Sequence, residues 1–395
     1  MSRAGRFVQQ VEGYKAFLPE SLPPSPSLTY DGDLICMLSD ADQSLARLDG
    51  VTSTLPNPDL FVSMYVRQEA VLRSQIEGTQ STLEDVLQFE IDPYGDELPC
   101  DVGEVVNYVA AMNTGLQRLS ELPLSLRLIR EIHNVLLAGS RGGEKSPGEF
   151  RRSQNWIGPS GCTLATATFV PPPVAAMQEA LNNLEKFLHD ASLPILLQCG
   201  LAHAQFETIH PFLDGNGRVG RLLITFLLCS RKVLQRPLLY LSYFLKQNRA
   251  EYYDRLTAIR QQGDWEGWLK FFLRGVAEVS REATHSARRI LALREEHLRL
   301  IRDHEKINST YGLQVLDYLY EHPITTVRLV EKALSSSYAT ANKVVQQLVE
   351  LGLLREMTGY ERNRRFAYSP YLAVFARTES TPTESDPPIQ KTESP

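Results

Sequence analysis

The sequence is poor in the features that mark secreted, membrane-spanning or nucleic-acid-coating proteins. It has five cysteines, at positions 36, 100, 162, 199 and 229, an odd and scattered set without a C-x-x-C pair. Such a set argues against a disulfide framework and reads as reduced core or incidental thiols. Long apolar runs are missing: the longest, around "LLITFLLCS", is too short to cross a bilayer. The start, "MSRAGRFVQQ", lacks an apolar signal core, so the expected location is cytoplasmic and no membrane partner is expected. Positive charge is not in excess either. Lys and Arg number 41 against 47 Asp and Glu, a net charge of −6, which disfavours a generally nucleic-acid-binding surface. No internal repeat and no alternation of strand with helix patterns is visible.

What is present is an ordinary globular balance, 43% hydrophobic and 22% charged, over 395 residues, room for two or three domains. Residues 1 to about 55 read as proline-rich irregular sequence ("LPESLPPSPSL") followed by a helical pattern. From "LFVSMYVRQEAVLRSQIEG" onward, apolar residues recur three and four apart, predicting a mainly α fold. The stretch "GEFRRSQNWIGPSGCTLATATFVPPP" breaks that pattern and predicts a small β-hairpin flap. Two strongly apolar helices, "PILLQCGLAHAQFETIH" and "RVGRLLITFLLCSRKV", flank a short polar turn. Charge then rises in "SREATHSARRILALREEHLRLIRDHEKI", expected to be a solvated linking helix. Three short helices and two β-prone runs after it outline a winged helix. The Ser/Thr/Pro/Glu-rich end has little to bury, and disorder is expected.

The polar turn contains "GNGRVG", which fits G-x-G-x-x-G. A dinucleotide fingerprint needs a strand before its first glycine. Here helical spacing and Pro211 precede it, so that reading fails. The turn still suits an anion. Asp214, Gly215, Asn216 and Gly217 carry little bulk, so backbone N–H groups can share one concavity. A helix expected from about Arg218 adds its N-terminal N–H groups and dipole. Arg218 and Arg221, three apart, share a face and offer forked donors to phosphate oxygens. Asp214 would repel phosphate unless Mg²⁺ lies between them. His210, at the end of the incoming helix, is placed to take a proton from a hydroxyl. Base, carboxylate and cradle within twelve residues point to chemistry on a nucleotide phosphate.

"HPFLDGNGRVGR" resembles the signature of the Fic (filamentation induced by cAMP) family, H-P-F-x-[DE]-G-N-G-R-x-x-R, at every specified position. The flanks "LAHAQFETI" and "PLLYLSYFLKQNRAEYYDRL" are similar to the family too, and the resemblance covers about residues 30 to 375. It implies a Fic-type helical bundle and a protein adenylyltransferase, moving AMP from ATP to a Ser, Thr or Tyr hydroxyl of target proteins and of itself. On that resemblance His210 is the base and Asp214 the Mg²⁺ ligand. Gly215, Asn216, Gly217, Arg218, Gly220 and Arg221 hold the nucleotide phosphates, with Arg218 bearing transition-state charge and Arg221 the γ-phosphate. Phe212 is a buried anchor. Tyr243 and Tyr252 are candidates for the adenine end. A target segment is expected to dock on the flap near Thr168, Phe169 and Val170 by strand addition.

A second family pattern, [ST]-x-x-x-E-[GN], is matched by Glu77 and Gly78 in "RSQIEGTQ", except that Arg73 stands where Ser or Thr is usual. It implies autoinhibition, with Glu77 competing with the γ-phosphate for Arg221. The expected domains are 1–98, helical and carrying the inhibitory helix; 99–275, the catalytic core; 276–307, the linking helix; 308–377, the winged helix; and 378–395, the disordered tail.

Blander readings stand beside these. His203, Glu207 and His210 form H-x-x-x-E-x-x-H, but two turns separate the histidines, so a packed His203 is preferred to a metal ligand. The winged helix has eight basic against six acidic residues in 308–377, weak for DNA, so an intramolecular or dimerising module is at least as good a reading. The alternatives are a nucleotide-sensing winged-helix transcriptional regulator, or a Fic enzyme with another nucleotide donor or with AMP-removing activity as well.

Overall fold

The computed structural model describes residues 2–55, 58–76, 82–91, 102–139, 145–159, 161–304, 308–359 and 364–375. Glu77, Gly78, Arg362 and the tail 378–395 lie outside the described residues. The fold is mainly α, as the periodicity predicts, with fifteen helices and five short strands among the described residues. No helix there is long and apolar enough to cross a membrane.

The N-terminus departs from the irregular chain expected. β1 (Gly5–Gln9) and β2 (Lys15–Pro19) form an antiparallel hairpin with Phe7 opposite Phe17. Only one face needs burial, and Phe17 supplies it: it is fully buried, edge-on to Phe7 and 6.0 Å from Phe169. Two strands alone are marginal; here they lean on the rest of the chain.

α1 (Gly32–Ser53) starts where the Asp31 carboxylate accepts from the Leu34 N–H. α2 (Pro58–Ile76), α3 (Leu83–Ile91), α4 (Val102–Arg118), α5 (Leu126–Leu136) and α6 (Val174–Leu188) follow. α7 (Ile195–Ile209) is apolar on nearly every side, and every residue from Leu196 to Ile209 is buried. A helix without a wet face belongs in the centre. α6, α8 (Asn216–Ser230) and α11 (Trp265–Asp303) pack round it. α9 (Ser242–Gln247) and α10 (Arg249–Gln262) lie between α8 and α11.

α11 is not the solvated linker its charge suggested. It runs 39 residues, about 58 Å, and lies along α1. Ala283, Ala287 and Ile290 are buried, while its charges sit at the margin, as in Arg281 with Asp40 at 2.8 Å. Charge density marked one face and concealed the other.

Beyond it come α12 (Ser309–Glu321), β3 (Ile324–Thr326), α13 (Val327–Leu334), α14 (Tyr338–Glu350), β4 (Arg355–Glu356), β5 (Arg365–Ala367) and α15 (Ser369–Phe375). The strands form one antiparallel sheet in the order β3-β5-β4. α15 returns to α11, and Phe375 meets Tyr65 of α2 edge-on at 5.5 Å.

Candidate active site

The polar turn between α7 and α8 is a built object. α7 ends because His210 adopts a left-handed conformation, φ 48° and ψ 60°, with its N–H on the Phe206 carbonyl. A non-glycine residue there needs outside support. Arg151 Nε and Asn155 Nδ2 each donate to the His210 carbonyl at 3.1 Å. Phe212 is fully buried, and Asn216 grips it twice. The Asn216 Oδ1 accepts from the Phe212 N–H and its Nδ2 donates to the Phe212 carbonyl, both at 2.8 Å. The Asn216 side chain therefore braces the turn, which leaves its backbone, at the helix start, to face an anion.

α8 begins at Asn216, two residues earlier than expected, on Gly215 at φ 76°. A side chain at Gly215 would be strained by that φ. Gly220 is needed for a different reason: a Cβ there would lie 2.7 Å from Glu207 Oε1. α7 and α8 approach that closely because nothing projects between them. Arg218 and Arg221 occupy the first two turns and are buried, at 5% and 9% exposure. The Arg221 guanidinium lies over Gly217. Arg218 reaches Asp214 at 3.5 Å and Glu104 of α4 at 3.7 Å. Sequence spacing offered no means of finding Glu104, which comes from over a hundred residues upstream.

The His210 side chain keeps 19% exposure, and its Nδ1 lies 4.0 Å from Glu207 Oε2. Burial pushes its pKa down to about 4, against the pull of Glu207, so the ring is neutral at physiological pH. His203, below it, is a core residue. Its ring nitrogens pair with the Gly220 carbonyl at 2.9 Å and the Tyr252 hydroxyl at 3.1 Å, and it stacks on Trp268. The H-x-x-x-E-x-x-H spacing therefore makes no metal site. Among the described residues no group of three or more His, Cys, Asp or Glu gathers round a common point. Asp214, with a side chain 41% exposed, fits a cation that takes its remaining ligands from phosphate and water.

Tyr252 is buried with its hydroxyl on His203, so it presents no face to an adenine, contrary to the expectation. Tyr243 is half-buried on α9, and its hydroxyl accepts from Gln247 Nε2. The flap is closed by one bridge, Ile157 with Phe169, with N–H···O bonds of 2.8 and 3.0 Å. Thr168 is exposed, whereas Phe169 and Val170 turn inward. Phe169 lies under the Arg260 guanidinium, 3.8 Å from its centroid, and the Val170 carbonyl accepts from the Phe17 N–H of β2 at 2.9 Å. These two residues anchor the flap.

Two family models match the chain: Fic/DOC family N-terminal over residues 35–117, and Fic/DOC family over residues 123–228. Residues 35–117 and 123–228 are therefore similar to the two regions that the Fic/DOC family models describe. The second match takes in α5 to α8, the flap and the whole turn; the first takes in α1 to α4, including Glu104 and Glu77. Among curated proteins, this chain is 30% identical over 202 residues to the "Protein adenylyltransferase Fic" of Drosophila virilis, covering 49% of this chain and 36% of that one. It is 32% identical over 154 residues to the protein of that name in Aedes aegypti, covering 38% and 27%. The match spans about a third of the length of these relatives. A Fic family protein from Desulfovibrio desulfuricans has the same fold, with a TM-score of 0.56, 19% identity, and coverage of 86% of this chain and 97% of that one. A Fic domain protein from Bacteroides thetaiotaomicron aligns at a TM-score of 0.50 and 16% identity, covering 63% and 97%.

Proposed function

We propose that this chain is a protein adenylyltransferase that moves AMP from ATP to a hydroxyl of a protein. The observation that carries the reading is the turn itself. A neutral, partly exposed imidazole ends α7, and a short turn leads from it to the N-terminus of α8, whose first two turns hold two buried arginines.

Glu207 beside Nδ1 favours the tautomer protonated there, leaving the Nε2 lone pair of His210 as the base. The acceptor hydroxyl gives its proton to Nε2 as its oxygen bonds to the α-phosphorus. The bond from that phosphorus to the bridging oxygen breaks, and pyrophosphate leaves with the electron pair. Arg218, Arg221 and the α8 N–H groups stabilise the charge that develops. Mg²⁺ on Asp214 would screen carboxylate from phosphate. Two curated relatives carry the adenylyltransferase name, which supports the same reading.

In this reading Glu77 restrains the enzyme through Arg221, and a target strand docks beside Thr168. The C-terminal unit is a winged helix serving as an intramolecular module. Two arginines on the strands beside the wing reach toward α3: exposed Arg355 lies 3.9 Å from Glu84, and Arg365 3.5 Å from Gln88.

The test is transfer of label from α-labelled ATP with Mg²⁺. Labelling of protein should fall roughly 10²- to 10⁴-fold in His210→Ala, while ATP binding, measured directly, persists. Undiminished labelling in that variant would refute the assignment.

A further inference from the structure

The backbone of His210 sets the direction of its Cα–Cβ bond, so groups that hold its carbonyl hold the root of its imidazole. Two side chains hold that carbonyl, and both come from one segment, residues 151–155, which runs directly into the flap. Arg151 is buried at 2% exposure. Its Nε donates to the His210 carbonyl, its Nη1 to Ser153 at 3.1 Å, and its Nη2 to the Pro172 carbonyl, three residues past the flap's closing bridge. Its backbone N–H donates to the Pro211 carbonyl at 2.9 Å. Asn155 Nδ2 also reaches the Phe212 carbonyl, at 3.0 Å. Gln154 completes the base of the flap, donating to the Pro171 carbonyl at 2.9 Å.

One guanidinium thus ties the flap's entrance, its exit and the backbone of the proposed base. We propose that Arg151 and Asn155 are positioning residues that couple docking of a target on the flap to the orientation of His210. The proposal rests on the adenylyl-transfer reading. A target that presses on either limb of the flap moves the same donors that set the imidazole. The Asn155 side chain donates only to the turn, whereas that of Arg151 donates to turn and flap, so the two residues should fail differently. Arginine is required, since a lysine ammonium cannot reach three divergent carbonyls at once.

The experiment uses the full chain in a Glu77→Gly background. The acceptor is the chain's own His210→Ala copy, which cannot label itself, titrated at saturating ATP. Asn155→Asp keeps the shape but sets a carboxylate against two carbonyls. It should lower kcat by roughly 10- to 100-fold and leave acceptor KM and ATP affinity within about two-fold. Arg151→Lys should lower kcat and also raise acceptor KM, each by about ten-fold. A packing role alone predicts that isosteric Asp is harmless; wild-type kcat in Asn155→Asp, or losses confined to ATP affinity, overturns the proposal. Hydrogen exchange of the same proteins separates this outcome from failure of the adenylyl-transfer reading, in which the parent labels nothing. Joint loss of amide protection in the flap and in the 210–216 turn of Arg151→Lys upholds the coupling, and loss confined to one of them overturns it.

Discussion

The imidazole of His133 lies flat on the ring of Phe212, centroids 3.7 Å apart and planes within 7°. Its Nδ1 accepts from the Gly148 N–H at 2.8 Å, so the proton sits on Nε2, which donates to the Asp214 carbonyl at 3.1 Å. One neutral ring therefore supports the turn between α7 and α8 from outside. His133→Ala would leave a cavity under Phe212 and the half-buried Gly148 N–H without its acceptor. The expected cost is about 2–4 kcal/mol, read from urea unfolding with an unchanged slope. A loss below about 0.5 kcal/mol would show that the ring supports nothing.

Acid should weaken the fold through buried histidines. Burial pushes His133 and His203 down to about 4, from an ordinary value of 6.5. Between those two values the unfolded chain binds protons that the folded chain refuses. Stability from this source is therefore complete above pH 6.5 and is lost as pH falls toward 4. Each histidine accounts for at most about 3 kcal/mol. His203→Gln keeps a donor for Gly220 and an acceptor for Tyr252, so its unfolding free energy should fall less steeply between about pH 6.5 and 5 than that of the wild type. Identical slopes would remove His203 from the account.

Glu104 shares the proposed phosphate-binding Arg218 at 3.7 Å, with side-chain exposures of 14% and 6%. Glu104→Gln removes a buried counter-charge that a bound phosphate can replace. The variant should lose about 1–2 kcal/mol without nucleotide and gain a larger thermal shift from ATP than the wild type gains. An equal ATP shift in both proteins would place Glu104 outside the nucleotide's reach.

Glu77→Gly should raise self-labelling from ATP roughly a hundredfold, since one guanidinium cannot serve both a carboxylate and a γ-phosphate. Mass spectrometry of the variant after ATP and Mg²⁺ should find added AMP and locate its site. Labelling no faster than in the wild type would mean that Glu77 does not restrain Arg221.

Most helices around the site were legible from their own periodicity; α7, with no wet face, was legible instead from its unbroken apolar length. β1 and β2 were not. Five residues each, with Pro19 at one end, they say little until Phe17 meets Phe169. α11 was misread for a related reason. Its charges are visible in sequence, but the apolar stripe under them acquires meaning only when α1 lies against it. Tyr252 looked like a base-stacking residue because aromatic side chains look alike in sequence; its hydroxyl partner, His203, is 49 positions away.

Sequence by itself determined the donors of the turn from Asp214 to Arg221, because they lie a few positions apart: a small-residue bend and arginines on adjacent turns. The tertiary structure alone decided what holds that turn in place. His133, Arg151, Asn155 and Glu104 come from helices and loops distant in the chain, and no local spacing records them. Buried polar groups must be satisfied wherever the packing leaves them, and packing is a property of the whole chain.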